Sequence, residues 1–218
     1  SMYGLGELRT PGTLQTRSMG GVGVGMRNAA AVNLLNPAAY SAVRPKSFLF
    51  DFGLEGQCFY NSQKYYGQTL NTSYYTVNFH DIAFQLPIAK HLGLGFSLTP
   101  YSSVGYRMKQ EVDDDEIWGN IGRVQYQWDG DGDVTEVKLG LGWEIFRGFS
   151  IGIAAQYYWG DIQRIYKTAI LENITGGGLI ADATGTETYS VSRFKGQFGV
   201  QWSPISNRRR ILTIGATY

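Results

Sequence analysis

The chain is poor in the residue types from which most catalytic and metal sites are built. Its single cysteine, Cys58, excludes an intramolecular disulfide framework and a zinc site made of cysteines. Two histidines, His80 and His91, leave little for catalysis. The net charge is only +1, and charged residues make up 17% of the chain, which argues against a nucleic-acid partner. We therefore expect no enzymatic activity, no metal, no cofactor and no bound nucleic acid.

Long apolar runs are also missing, so no transmembrane helix is predicted. The chain does not start with a basic and then apolar stretch, so an exported protein would be present here in its mature form, without a signal peptide. Glycine, by contrast, is abundant, with 29 residues, and aromatic residues reach 14%. This composition fits either a soluble all-β domain or an outer-membrane barrel, whose alternating faces average to a middling hydropathy.

The pattern divides the chain into two parts. Residues 1–46 hold few charges and no sustained alternation, and they include the glycine-rich stretch Ser18–Gly25. A short helix is predicted over Ala29–Leu35, because the residue before Pro37 is pushed out of the helical region. Such a segment cannot build a core alone, so it is expected to pack into the rest of the protein.

From residue 47 onward, apolar and polar residues alternate with the period of a β-strand. Along His91–Lys109, for example, one face carries apolar residues from Leu92 to Met108, including Val104, and the other carries glycine and polar residues. We predict seven antiparallel strands, over Ser47–Phe59, Ser73–Ile88, His91–Lys109, Val134–Phe146, Phe149–Asp161, Ser190–Trp202 and Arg208–Tyr218.

The second of these strands is irregular. Its alternation changes parity at His80-Asp81, which is the effect of one extra residue in a β-bulge. An ordinary bulge and a functional kink in the wall both fit this pattern, so His80 and Asp81 mark a candidate wall kink.

The connections and the polar face favour a transmembrane β-barrel over a soluble sandwich. Short turns alternate with long polar stretches at Asn61–Thr72, Gln110–Asp133 and Thr168–Thr188, which are predicted as long loops. The polar face is rich in Gly, Ser and Gln, as in a wet lumen, where a soluble surface carries more Lys and Glu. Charged residues of mixed sign are expected to face this lumen and to neutralise one another: Asp51, Glu55, Glu136, Lys138, Glu144, Arg193 and Lys195.

Three short motifs have simple interpretations. The stretch Gly21–Gly25 lacks the third glycine of a dinucleotide fingerprint. The stretch Asp129–Asp133 lacks the later glycine and glutamate of a calcium loop, so it is predicted as an exposed loop tip. The cluster Arg208–Arg210 is expected at the periplasmic interface, near lipid headgroups.

Three features together resemble the FadL/TodX family of outer-membrane transporters. They are the glycine-rich Ser18–Gly25, the hatch motif Asn36-Pro37-Ala38, and the glycine alternation at Leu139–Gly142. The resemblance implies a 14-stranded antiparallel barrel in the bacterial outer membrane, with residues 1–46 as an N-terminal hatch that plugs it and residues 47–218 as about half of its strands. The implied function is the passage of hydrophobic molecules, such as fatty acids or hydrocarbons, so that membrane lipid and an apolar ligand are the expected partners. The alternative is a FadL-like barrel that serves as a subunit of a protein-secretion complex of the type IX kind, with other outer-membrane proteins as partners.

An odd number of strands predicts that the barrel continues beyond these residues, because both ends of a single-chain bacterial barrel lie on the periplasmic side. An eighth strand hidden in Ile121–Trp128 would close a small barrel instead. The interior of an eight-stranded barrel is filled by its own side chains, so it could not hold a hatch. The hatch motif is expected to be buried inside the barrel and to contact the strand that carries His80-Asp81.

Overall fold

The computed structural model describes residues 4–65, 68–112, 123–172, 183–207 and 210–218. A two-residue strand β1 (Glu7–Leu8), a short helix α1 (Leu14–Ser18) and a 3₁₀ helix (Pro37–Ala42) come first. Long strands follow: β2 (Leu49–Tyr65), β3 (Gln68–Ala89), β4 (Leu92–Glu111), β5 (Arg123–Phe146), β6 (Phe149–Glu172), β7 (Ala183–Ser206) and the shorter β8 (Ile211–Thr217). Among the described residues, no helix has the length and apolar character required to cross a membrane.

The strands β2 to β8 form one antiparallel sheet in which each strand pairs with its neighbours in the sequence. Strand β1 lies outside this order and pairs with β4, where Glu7 faces Ser103. The predicted fold class, an all-β protein with seven consecutive antiparallel strands, is confirmed. Within the described residues, the sheet order leaves one side of β2 and one side of β8 without a neighbouring strand.

The chain forms two compact units. The first contains Ser1–Arg9, Tyr101–Thr135 and Tyr157–Arg193, and the second contains Thr10–Pro100, Glu136–Gln156 and Phe194–Tyr218. In the first unit, Val104, Val134 and Ile162 form a buried apolar cluster. In the second unit, the corresponding cluster is Val32, Leu34 and Ala83.

The predicted long loops are wrong in large part, because the strands extend into them. Strands β2 and β3 run on to Tyr65 and from Gln68, so the stretch Asn61–Thr72 is mostly a paired hairpin. In the other two predicted loops, residues 113–122 and 173–182 lie outside the described residues. The stretch Asp129–Asp133, predicted as a loop tip, lies inside β5, and the Asp129 carboxylate accepts a hydrogen bond from Arg107. The described part of Ile121–Trp128 belongs to this same strand and forms no separate eighth one.

The helix predicted over Ala29–Leu35 is also wrong, and the helical turn starts at Pro37 instead. Asn33 disrupts the predicted helix, because its side chain bonds to the backbone: Nδ2 donates to the Gly23 carbonyl and Oδ1 accepts from the Leu35 amide. Asparagine competes with helical hydrogen bonding in this way.

Strand β4 departs from the predicted regular alternation. Ser97 and Ser102 are both buried, although residues five apart in a regular strand point to opposite faces. Val104 is buried with Val134 and Ile162, whereas Leu94 is half-buried, so the predicted apolar face does not continue unchanged from Leu94 to Val104. Pro100 lies between the two serines and has no amide hydrogen for the strand ladder, which explains why regular pairing is difficult there.

Candidate functional site

The best-organised polar site of the second unit holds residues 10–46, which we call the N-terminal segment. Asn36 lies at its centre and is completely buried. Its Nδ2 donates hydrogen bonds to the carbonyl oxygens of Val24 (2.8 Å) and Val200 (3.1 Å), and its Oδ1 accepts from the Ala38 amide at 3.0 Å. Asn36 thus caps the 3₁₀ helix and joins it both to the glycine-rich stretch and to β7.

Three sheet strands hold the backbone just before Asn36. Gln85 of β3 donates to the Asn33 carbonyl at 3.0 Å, and Lys138 of β5 donates to the Leu34 carbonyl at 2.5 Å. Gln197 of β7 donates to the Leu35 carbonyl at 3.0 Å. Three consecutive carbonyl groups, which no regular secondary structure satisfies, therefore each receive a side-chain donor from a different strand.

A fourth donor fixes the glycine-rich stretch. Gln201, completely buried on β7, donates from Nε2 to the carbonyls of Val24 (3.0 Å) and Met26 (3.1 Å). Because Asn36 also donates to Val24, this one carbonyl joins the stretch to both the hatch motif and the sheet.

Glycines of the sheet provide the space for the 3₁₀ helix. A Cβ atom added at Gly95 would lie 2.6 Å from the Tyr40 ring, and one at Gly140 would lie 2.8 Å from it. At Gly152 it would overlap the backbone of Pro37 and Ala38. Glycine is thus required on β4, β5 and β6 because the sheet and the helix backbone approach each other closely.

Tyr40 fills the space that these glycines leave. Its side chain is 1% exposed, and this burial raises the pKa of the phenol, with the nearby Glu136 carboxylate adding to the effect. Tyr40 therefore remains neutral and acts as a large packing side chain.

Two arginines of the N-terminal segment pair with carboxylates of the sheet. Arg17 binds Glu55 of β2 through two bonds of 2.8 and 3.3 Å, and this hydrogen bonding raises the pKa of Arg17. Arg27 lies 3.5 Å from Glu144 and donates to the hydroxyl groups of Ser41 and Ser150. Burial lowers the pKa of Arg27, and Glu144 opposes this effect. We conclude that Glu55 and Glu144 of the sheet bind the N-terminal segment through ion pairs.

The remaining charges predicted to face a lumen differ in burial and in hydrogen bonding. Asp51 is half-buried, and Glu136 accepts a hydrogen bond from Gln156 at 3.0 Å. Arg193 and Lys195 are exposed. Glu55 pairs with Arg17 of the N-terminal segment, and Glu144 pairs with Arg27 of that segment and with His91.

His80 and Asp81 lie at a break in the register between β2 and β3, opposite Gly53 and Leu54. Both side chains are buried and contact each other, so two adjacent residues point to the same face. Beside them, a Cβ atom at Gly53 would lie 3.1 Å from the Leu14 side chain, so α1 adjoins the bulge. The hatch motif makes its hydrogen bonds elsewhere, although the 3₁₀ helix also adjoins β3.

The amide donors Gln85, Gln197 and Gln201 are not among the site residues that the sequence predicts. A usable signal is present, because Gln197, Gly199 and Gln201 alternate on the polar face of β7. Of the basic cluster, Arg208 and Arg209 lie outside the described residues, and Arg210 is exposed.

Comparisons with known proteins give one structural and one family match. A crystal structure of a Pseudomonas aeruginosa FadL homologue is similar, with 12% sequence identity and a TM-score of 0.49. The similarity covers 92% of this chain and 50% of that one, so the chain spans about half the length of this structure. No curated protein matches the sequence. The model of a family described as BamG matches residues 1–218, and the chain therefore belongs to the BamG family.

Proposed function

We propose that this chain is part of an outer-membrane barrel that works with other proteins in the assembly of outer-membrane β-barrels, and that it does not pass a ligand through its interior. The family name supports a role related to barrel assembly. The observation that carries the proposal is the fixed N-terminal segment, whose carbonyl groups at residues 33, 34 and 35 are each held by a different strand.

A fixed segment is poorly suited to gating. To open a path along the buried face of the second unit, the segment would have to break these hydrogen bonds together with the Arg17–Glu55 pair. It would also have to withdraw Tyr40 from the glycines of β4 and β5. Buried hydrogen-bonding groups that are left without partners cost about 1–3 kcal/mol each, so the closed arrangement is strongly favoured.

The exposed face of the sheet supports a location in the membrane. Large apolar side chains are about half exposed along consecutive strands, including Phe50, Leu139, Trp143, Ile153, Phe198 and Ile214. An apolar surface that continues over several strands is unusual in contact with water and ordinary in contact with lipid. We therefore place these strands in the outer membrane, with their exposed face toward the lipid.

The test is deletion of the gene in its native host, followed by two measurements. The abundance of other outer-membrane barrels should fall, and uptake of a fluorescent long-chain fatty acid should stay unchanged. Wild-type protein and the Gly196→Ala variant should restore barrel abundance, because nothing lies near a Cβ atom at Gly196. The Gly152→Ala variant should not restore it, because its methyl group displaces the N-terminal segment. Loss of uptake with unchanged barrel abundance would refute the proposal.

Passage of hydrophobic molecules is the second candidate function, and the bulge at His80-Asp81 favours it. A register shift weakens the strand ladder locally. The Asp81 Oδ2 atom is buried and lacks a hydrogen-bond partner among the described residues, so the bulge carries an unsatisfied polar atom. Mass spectrometry of the purified protein tests this function directly, since a transporter should retain a lipid or hydrocarbon that the Gly53→Leu variant excludes.

A further inference from the structure

A hollow of about 830 Å³ lies in the second unit, where the short connections between strands end. Residues from the end of the N-terminal segment, from the β3–β4 and β5–β6 turns, and from β7 and β8 line it. Its volume falls in the range of ligand sites, about 300–1,000 Å³. Arg27, Ser41 and Glu144 of the lining also hold the N-terminal segment, whereas Arg44, Lys90 and Arg147 take no part in that contact.

The lining of the hollow is strongly basic, although the whole chain is close to neutral. Arg27, Arg44, Lys90 and Arg147 contribute four cationic groups, and Glu144 is the single carboxylate among the lining residues. Glu144 is already engaged, because it pairs with Arg27 and His91 and accepts from the Gly148 amide. It therefore leaves the other cations uncompensated.

Arg44, Lys90 and Arg147 are all exposed, and none of them forms an ion pair within the described part of the chain. They come from three separate parts of the sequence: the end of the N-terminal segment and two different turns. Cations gathered in this way around a concave surface raise the local positive potential and attract an anionic partner.

The position of the hollow favours a water-soluble partner over a lipid headgroup. Glu144, Ser203 and Thr213 of its lining are half-buried, whereas the neighbours Trp143, Trp202 and Leu212 belong to the exposed apolar face. These three residues alternate along their strands with the exposed apolar side chains, so they point away from the face that we assign to lipid. A headgroup of the surrounding membrane would instead meet the outer rim of the sheet.

We infer that this hollow binds an acidic segment of a partner protein, with Arg44, Lys90 and Arg147 as the contacting cations. The inference rests on the proposed function, and it specifies the chemistry by which a partner in barrel assembly is recognised. A segment that carries several carboxylates at intervals would pair with cations spread around the hollow, whereas a single small anion could reach only some of them.

The experiment uses the purified full chain in detergent and a fluorescein-labelled peptide that alternates Glu and Ser. Fluorescence anisotropy should show binding that weakens as salt is added, because exposed charge pairs are screened. A peptide alternating Gln and Ser should not bind. The triple variant Arg44→Ala/Lys90→Ala/Arg147→Ala should bind the acidic peptide about 10-fold to 100-fold more weakly.

A matched control removes the same number of exposed cations elsewhere, in the variant Lys64→Ala/Lys109→Ala/Arg193→Ala, which should bind within about twofold of wild type. The charge-preserving variant Arg44→Lys/Arg147→Lys should also retain binding, which separates the loss of charge from damage to the fold. Equal losses in the two triple variants would overturn the inference.

Competition distinguishes the sources of negative charge. Inorganic phosphate and phosphatidylglycerol vesicles should displace the peptide no better than their ionic strength predicts. Efficient displacement by either would assign the hollow to a small anion or to a lipid headgroup and would overturn the peptide inference. Failure of the peptide to bind would also overturn it, whereas the proposed function is refuted separately, by loss of uptake with unchanged barrel abundance after gene deletion.

Discussion

The ammonium group of Lys138 lies 2.5 Å from the carbonyl oxygen of Leu34. The residue Lys138 is only 3% exposed. A lysine on a sheet strand is therefore used as a backbone clamp for a segment about a hundred residues earlier in the chain, rather than as a charge in an open lumen. This relationship makes the fixed position of the N-terminal segment testable by single substitutions.

The first prediction concerns this clamp. Lys138→Met keeps a side chain of similar length but leaves the Leu34 carbonyl without a donor, so it should lower the free energy of unfolding by about 1–3 kcal/mol. Urea unfolding in detergent measures the loss. The control Lys195→Met removes an exposed lysine and should change stability by no more than about 0.5 kcal/mol. Equal effects of the two changes would show that Lys138 contributes only its charge.

The second prediction concerns the glycines that face the 3₁₀ helix. A methyl group at Gly152 overlaps the backbone of Pro37 and Ala38, which cannot rotate away as a side chain can. Gly152→Ala should therefore cost about 1–3 kcal/mol. Gly196→Ala, on a strand position with open space around the added atom, should be close to neutral. Thermal unfolding of both variants, measured side by side, decides whether close packing requires glycine at position 152.

The third prediction separates the two roles of Asn36. Asn36→Asp keeps the oxygen that accepts from the Ala38 amide but replaces the Nδ2 group that donates to Val24 and Val200. Asn36→Ala removes both functions. If both the accepting oxygen and the donating Nδ2 group hold the segment, limited proteolysis near the glycine-rich stretch should be faster in Asn36→Asp than in wild type. It should be fastest in Asn36→Ala. Identical rates in wild type and Asn36→Asp would mean that capping alone fixes the segment.

The sequence predicts the strands because alternation is local, and it fails where the structure depends on distant contacts. The sequence predicts a loop at Asn61 and Thr72 because neither face of the chain is apolar there. In the structure these two residues pair in the β2–β3 hairpin. The helix at Ala29–Leu35 fails because Asn33 bonds to Gly23, ten residues away.

The sequence predicts only part of the surface of the sheet that contacts the N-terminal segment. The glycine and glutamine residues on the polar face of β5 and β7 can be identified by periodicity alone. Their partners cannot be identified in this way: Gln197 donates to the Leu35 carbonyl, and Gly199 lies against Asn36. Pairing between residues more than 160 positions apart carries no signal in a single sequence.

The last prediction tests the membrane location through the exposed face. Leu141 lies on β5 between Gly140 and Gly142, which are buried, and its side chain is 43% exposed. If this face contacts lipid at midplane depth, Leu141→Arg should cost about 2–4 kcal/mol when the protein folds into bilayers. If the face contacts water, the same change at an exposed position should cost no more than about 0.5 kcal/mol. Arg147 is exposed at the β5–β6 turn, and Arg147→Leu serves as the control substitution. Its folding free energy should be close to that of wild type in both cases. The folding free energy of Leu141→Arg in bilayers therefore distinguishes a lipid-facing sheet from a water-facing one without reference to any ligand.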